Sequence, residues 1–176
     1  ASPDIIPRIY DEYQKWATSQ DDLRRALELS QIGEVEKPPR VRFSVLAQWV
    51  QMPNMEEEIK KEGAKEWAKY AKVWVEKYAP ESEKFLVQKD LPDAVRNLDN
   101  EQKEYLKKIS DIVSEGLSAE DLQTKIYDAA KEMKIPTKDS FAAIYIALLG
   151  KDHGPKAAWL ISSLDPAFVK ERFLNI

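Results

Sequence analysis

The stretch FAAIYIALLGKDHGPKAA, Phe141 to Ala158, sets the tightest limit on how this 176-residue chain can fold. Phe141, Ile144, Tyr145 and Leu148 recur at i, i+3, i+4 and i+7, and the residues between them are Ala, Ile and Leu, so the spacing predicts a helix apolar nearly all round. Such a helix has no face to give to water and belongs at the centre of its unit. Gly150 supplies the usual left-handed stop, and Pro155 suits the first position of a second helix with Ala157, Leu160, Ile161 and Leu164 as its core stripe. That phase leaves Lys156 and Trp159 on other faces.

The connection KDHGPK carries the only histidine of the chain and two lysines. A helix start has unpaired N–H groups and partial positive charge, so Lys151, His153 and Lys156 would surround a site suited to a phosphate. The same residues also suit a plain helix-loop-helix corner, with Gly and Pro shaping the backbone and the lysines solvated.

The rest of the chain repeats the helical theme. Ile5, Ile6, Ile9, Tyr10, Tyr13 and Ala17 form one stripe opening near Pro7, and Leu23, Ala26 and Leu27 form a second after Asp21-Asp22. Residues 33–40, with Pro38-Pro39, predict a loop, and Ser44 is placed to cap a short helix running to Val50. Arg40 and Arg42 flank that entry, as phosphate contacts or as ordinary surface charge. Asn54 and Glu57 have capping-box spacing before a charged helix. Trp67, Ala71, Trp74 and Tyr78 then align at helical spacing, as core or as a surface on which bases or a partner dock.

Residues 80–98 carry two prolines and no helical period, so they predict a short extended linker. Beyond them, Asp99 with Gln102, Ser118, Thr137 or Asp139, and Asp165-Pro166 mark successive helix starts. The expected fold is all-α: an N-terminal helical subdomain over 1–79, the linker over 80–98, and a helical bundle over 99–176. Five glycines in the whole chain fit helices better than tightly turned sheets.

Composition narrows the function. With no cysteine and one histidine, disulfides, thiolate ligands and multi-histidine metal sites are excluded, and no catalytic or metal-binding set is expected. No apolar run reaches the roughly 20 residues that span a bilayer, so no membrane association is expected. The net charge of −4 argues against broad nucleic-acid binding and against DNA, but residues 138–176 hold five Lys or Arg against four Asp or Glu, which leaves room for a small, shaped RNA site. The first residue is Ala1 rather than methionine, as expected of a piece of a longer protein.

Ile144-Tyr145, Leu148-Leu149-Gly150, Gly154-Pro155, Phe168-Val169 and Arg172-Phe173, in that order, resemble the C-terminal end of class I aminoacyl-tRNA synthetases of the glutamyl and class I lysyl group. Ile9-Tyr10-Asp11-Glu12-Tyr13 resembles the segment after the catalytic core of the lysyl branch, and Arg42-Phe43-Ser44 with Leu46-Ala47 and Val50-Gln51 resembles its helical region.

The resemblance implies an anticodon-binding region, cytoplasmic, with a lysine-accepting tRNA as partner. Neither ATP-site signature of the family is present, so ATP and the joining of lysine to tRNA would belong to an upstream catalytic domain, with no cofactor in this chain. It also implies anticodon-loop contacts at Tyr145, Gly154, Pro155, Lys156 and Ala157, to which the charge pattern adds Lys151 and His153. Glutamyl enzymes often carry arginine at the place of Tyr145, so the base there is read differently, or Tyr145 is a core residue. Two alternatives stay open: the equivalent region of a glutamyl enzyme, and a non-catalytic helical scaffold that binds a protein partner through Trp67, Trp74 and Tyr78.

Overall fold

Helical periodicity governs the chain, as its sequence leads one to expect. The computed structural model describes residues 5–176, and every regular element among them is a helix. Two units are formed, one running to Lys84 and the other spanning Phe85–Ile176. No helix among the described residues is long and apolar enough to cross a membrane.

The first unit comprises α1 (Ile5–Thr18), α2 (Asp22–Ser30), α3 (Phe43–Trp49), α4 (Glu56–Lys61) and α5 (Lys65–Lys77). Its core is built where α3 meets α1 and α5. Phe43 and Leu46 are fully enclosed, Ala71 and Trp74 face them from α5, and Tyr10 of α1 stacks on Phe43 with ring centroids 4.3 Å apart. Removing a ring such as Phe43 would cost about 3–5 kcal/mol, since the cavity adds to the lost transfer energy. Gln14 pins the proline loop to α1, donating to the carbonyls of Pro39, Arg40 and Val41 at 2.7, 3.2 and 3.1 Å.

Two caps in this unit differ from expectation. Ser44 lies inside α3, and the cap position is held by Arg42 without a side-chain cap bond. Asp11 of α1 takes over the role. Its carboxylate accepts from the Ser44 amide at 3.3 Å and the Ser44 hydroxyl at 2.6 Å, placing negative charge at the helix start, where the dipole favours it. Likewise Asn54 does not open α4: its φ of 58° is left-handed, incompatible with the extended backbone of an N-cap, and buried Met55 holds that position.

The second unit surrounds one helix. After α6 (Asn100–Val113) and α7 (Ala119–Glu132) comes α8 (Thr137–Leu149), the apolar helix, followed by α9 (Ala157–Ser163) and α10 (Pro166–Leu174). α8 packs against α6, α7, α9 and α10, and Ala143, Ile144, Ala147 and Leu148 are completely buried. The Asp99–Gln102 capping box, the Ser118 cap and the Asp165 cap with Pro166 form as expected, and Gly150 ends α8 at φ 71°. Pro136, not Thr137 or Asp139, occupies the cap position of α8, and no side-chain cap bond forms there.

The segment expected to link the units is divided between them. Pro80 to Lys84 belongs to the first, whereas Phe85 to Leu98 folds onto the second. The Gln88 amide donates to the Leu148 carbonyl at 2.9 Å, and Val95 and Leu98 are buried. Arg172 of α10, itself only 6% exposed, donates to the carbonyls of Ala147, Gln88 and Lys89 at 2.9, 2.9 and 2.7 Å. A non-helical strip needs partners for its backbone, and a buried guanidinium with several donors supplies them.

Candidate nucleic-acid interface

The corner between α8 and α9 is built on steric fit. Gly150 needs its left-handed backbone, which few other residues adopt at low cost. At Gly154 the reason is space. A β-carbon there would lie 2.8 Å from Leu149 Cδ1 and 2.8 Å from Tyr145 Cδ1, so the chain passes directly across the tyrosine ring. Tyr145 is thus half-buried, and burial pushes its phenol up to about 12. Its hydroxyl makes no hydrogen bond with any described residue, which leaves a neutral donor and acceptor available to a ligand.

The corner also carries charge and further aromatic surface. Lys156 is exposed, and its Nζ lies 3.7 Å from the centroid of the half-buried Trp159 ring. Lys151 lies with its Nζ 5.9 Å from the Phe85 ring, which also meets the His153 ring edge-on at 6.0 Å. His153 Nδ1 is 2.7 Å from the Asp152 carboxylate, and that hydrogen bond holds the Asp152 carboxyl below its usual range. Asp152 therefore offsets part of the positive charge that the lysines bring.

The expected helix-start site differs in detail. Pro155 is not the first residue of α9; Lys156 holds the cap position, and the helix opens at Ala157. One of the amides expected to face outward is already engaged, because Ala158 N–H donates to Gln123 Oε1 of α7 at 3.3 Å. Pro155 is buried and Ala157 has no exposed surface, so both shape the turn from below and offer no surface for a contact. His153 and Lys156 are exposed, and Tyr145, Lys151 and Gly154 are half-buried. Of these, Gly154 meets Tyr145, Lys151 and His153 share Phe85 as a neighbour, and Lys156 is set beside Trp159.

Phe85 and Trp159 also border the corner, and neither reads as a site residue in the sequence. The i, i+3 spacing of Lys156 and Trp159 carried the signal for one, while Phe85 sits in a segment with no period to place it.

Arg40 and Arg42 lie in the first unit and are engaged within it. Arg40 approaches Glu62 at 3.7 Å and donates to the Lys61 carbonyl, and Arg42 pairs with Asp11 at 3.3 Å. The aromatic row of α5 is split as well. Trp74 is 4% exposed, Trp67 packs edge-on against Tyr10 at 4.9 Å, and Tyr78 alone of the three is open, at 52%. An aromatic docking stripe on that helix is thereby removed.

Residues 55–176 match the family model described as an anticodon binding domain, and the chain belongs to that family. Among curated proteins it is similar to the lysine–tRNA ligases of Archaeoglobus fulgidus (30% identical, 93% of this chain, 35% of that protein), Thermococcus kodakarensis (32%, 96% and 36%) and Pyrococcus furiosus (32%, 96% and 36%). The chain spans about a third of the length of these relatives.

Proposed function

We propose that this chain is the C-terminal, anticodon-reading part of a class I lysine–tRNA ligase, acting in the cytoplasm beside an upstream ATP-using module that joins lysine to the tRNA. The observation that carries the reading is the anticodon-binding match over residues 55–176, combined with a corner whose exposed groups suit unpaired RNA. Anticodon bases are splayed and unstacked, so they are held by aromatic planes, by hydrogen bonds to their edges and by cations on their phosphates. Tyr145 offers an unengaged hydroxyl, Trp159 an aromatic face, Lys151 and Lys156 the charge, and His153 an exposed imidazole ring. Since Pro155 and Ala157 are buried, they serve by holding Gly154 against Tyr145.

The reading is tested by titrating the chain with an anticodon stem-loop of a lysine tRNA and with a second in which the central and third anticodon bases are changed. The expected result is tighter binding of the first, and weaker discrimination with Tyr145→Ala and Lys156→Ala. Equal affinity for both stem-loops sinks the reading. Charging assays in a full-length ligase carrying the same substitutions, with kcat/KM as readout, extend the test to the module where the chemistry would lie.

A further inference from the structure

A second feature, wholly within the first unit, lies apart from the candidate site residues. Between α3, α4 and α5 runs an open groove of ≈ 260 Å³. Its floor is apolar: Met55 is buried, and Trp49 and Ile59 pack half-buried against the first-unit core, leaving part of each to the groove. Its rim is basic. Lys65, Lys69 and Lys72 of α5 line one side at i, i+4 and i+7, a spacing that puts them in one row about 10 Å long. Among the described residues, Glu56 is the one carboxylate lining the groove.

The row carries no ion pair among the described residues, unlike several lysines on neighbouring elements. Lys60 and Lys61 on neighbouring α4 reach Glu57 and Glu58 at 3.9 and 2.6 Å, and Lys84, Lys107, Lys108 and Lys125 each meet a carboxylate within 4.0 Å. Lys65, Lys69 and Lys72 meet none among the described residues. Three neighbouring exposed cations raise the local positive potential, and an occupant bearing several negative charges complements all three. A half-buried tryptophan beside them suits a planar group.

We infer that the lysine-edged groove between α3, α4 and α5 is a second RNA contact, in which an unstacked base lies against Trp49 and its flanking phosphates meet Lys65, Lys69 and Lys72. The inference rests on the proposed role in tRNA binding and adds to it a contact outside the α8–α9 corner, insensitive to the anticodon bases. An acidic protein segment is the competing occupant. RNA is favoured because the rim requires closely spaced charge and the floor holds an aromatic plane.

The test is the salt dependence of binding to a full-length lysine-tRNA transcript, followed by anisotropy with the whole chain. Lys65→Gln/Lys69→Gln/Lys72→Gln should weaken binding about ten-fold or more at low salt and flatten the log–log salt slope by about 2, at ~0.7 for each single-strand phosphate contact. The matching Lys→Arg triple should retain the slope. Lys107→Gln/Lys108→Gln/Lys125→Gln, which changes net charge equally elsewhere, should leave the slope near that of the unsubstituted chain. Trp49→Phe should bind nearly as well as the unsubstituted chain and Trp49→Ala about ten-fold less, with melting curves separating lost stacking from lost fold. If the groove triple keeps the original slope and affinity while anticodon discrimination persists, the groove is not an RNA contact and the corner's reading stands. If the unsubstituted chain binds no tRNA, both fall together.

Discussion

The backbone of Gly154 lies so close to the ring of Tyr145 that a single added carbon would come within 2.8 Å of Tyr145 Cδ1. The turn and the tyrosine are therefore one structural element: the loop fixes the ring, and the ring fixes the path of the loop toward Lys156. Gly154→Ala must displace one of them. Overpacking of this kind costs about 1–3 kcal/mol, so thermal unfolding should shift down while the helices persist by circular dichroism. Binding of a lysine anticodon stem-loop should fall further than in Tyr145→Phe, because the ring moves as well as the loop. A Gly154→Ala protein with unchanged melting and unchanged affinity would show that the contact is slack.

Lys156 has no carboxylate partner among the described residues, and its ammonium lies over the Trp159 ring. A cation–π contact at an exposed site contributes about 0.5–1 kcal/mol, so Lys156→Gln should cost little stability. Its effect should appear in binding instead. If the ammonium meets one phosphate, affinity for tRNA drops and the salt slope flattens by ~0.7. Trp159→Leu separates the two roles, since it removes the aromatic face and leaves the charge. Isothermal titration at two salt concentrations reads both effects, and a slope unaffected by Lys156→Gln would remove the lysine from the phosphate contacts.

How far these features could be read from the sequence depended on whether their causes were local. α8 was legible because a helix without a polar face leaves one place for itself, and Gly150, Ser118, Asp165 and the Asp99–Gln102 box act within a single turn. The cap of α3 was not, because its donors bond to Asp11, more than thirty residues earlier. The strip at 85–98 reads as a linker for a related reason: Arg172 holds it through backbone carbonyls, which every residue possesses and no side-chain pattern announces. In the corner the charged residues were visible as a cluster. The burial of Pro155 and Ala157 and the engagement of the Ala158 amide by Gln123 depend on α7 packing alongside, which spacing in the corner itself does not encode.

The Tyr145 phenol should respond to pH as its surroundings dictate. Burial raises it from the usual 10.0 to about 12, so the fold favours the neutral form. Its contribution to stability is therefore complete below pH 10 and is withdrawn as pH climbs from 10 toward about 12, when the unfolded chain gains by ionising first. Tyr145→Phe should flatten that part of the alkaline stability profile. Near neutrality it should cost little, since the hydroxyl has no partner in the described protein to lose. Denaturant unfolding at pH 8 and pH 11 measures both. An alkaline limb identical in the two proteins would assign the effect to other tyrosines, Tyr105 first, whose phenol burial also raises.

Arg172 should prove to be the fastening of the non-helical strip. Its guanidinium is almost wholly buried, holds three carbonyls and stacks over Phe168 at 4.9 Å. Arg172→Met keeps most of the apolar volume but strands the buried Ala147 carbonyl, at about 1–3 kcal/mol, and leaves the part-buried Gln88 and Lys89 carbonyls to water. The loss should be about 2–3 kcal/mol in denaturant unfolding, with Arg172→Lys intermediate because an ammonium cannot reproduce the planar fork. Hydrogen exchange locates the damage. The Gln88 amide, bonded to the Leu148 carbonyl, should lose protection, while amides in the middle of α6 exchange only through global unfolding. Because Phe85 of the same strip faces Lys151 and His153, loosening it should also weaken stem-loop binding, although Arg172 itself is buried away from solvent. Retained Gln88 protection in Arg172→Met would mean that the strip is held by its buried Val95 and Leu98 side chains, and the guanidinium would then serve α8 and α10 alone.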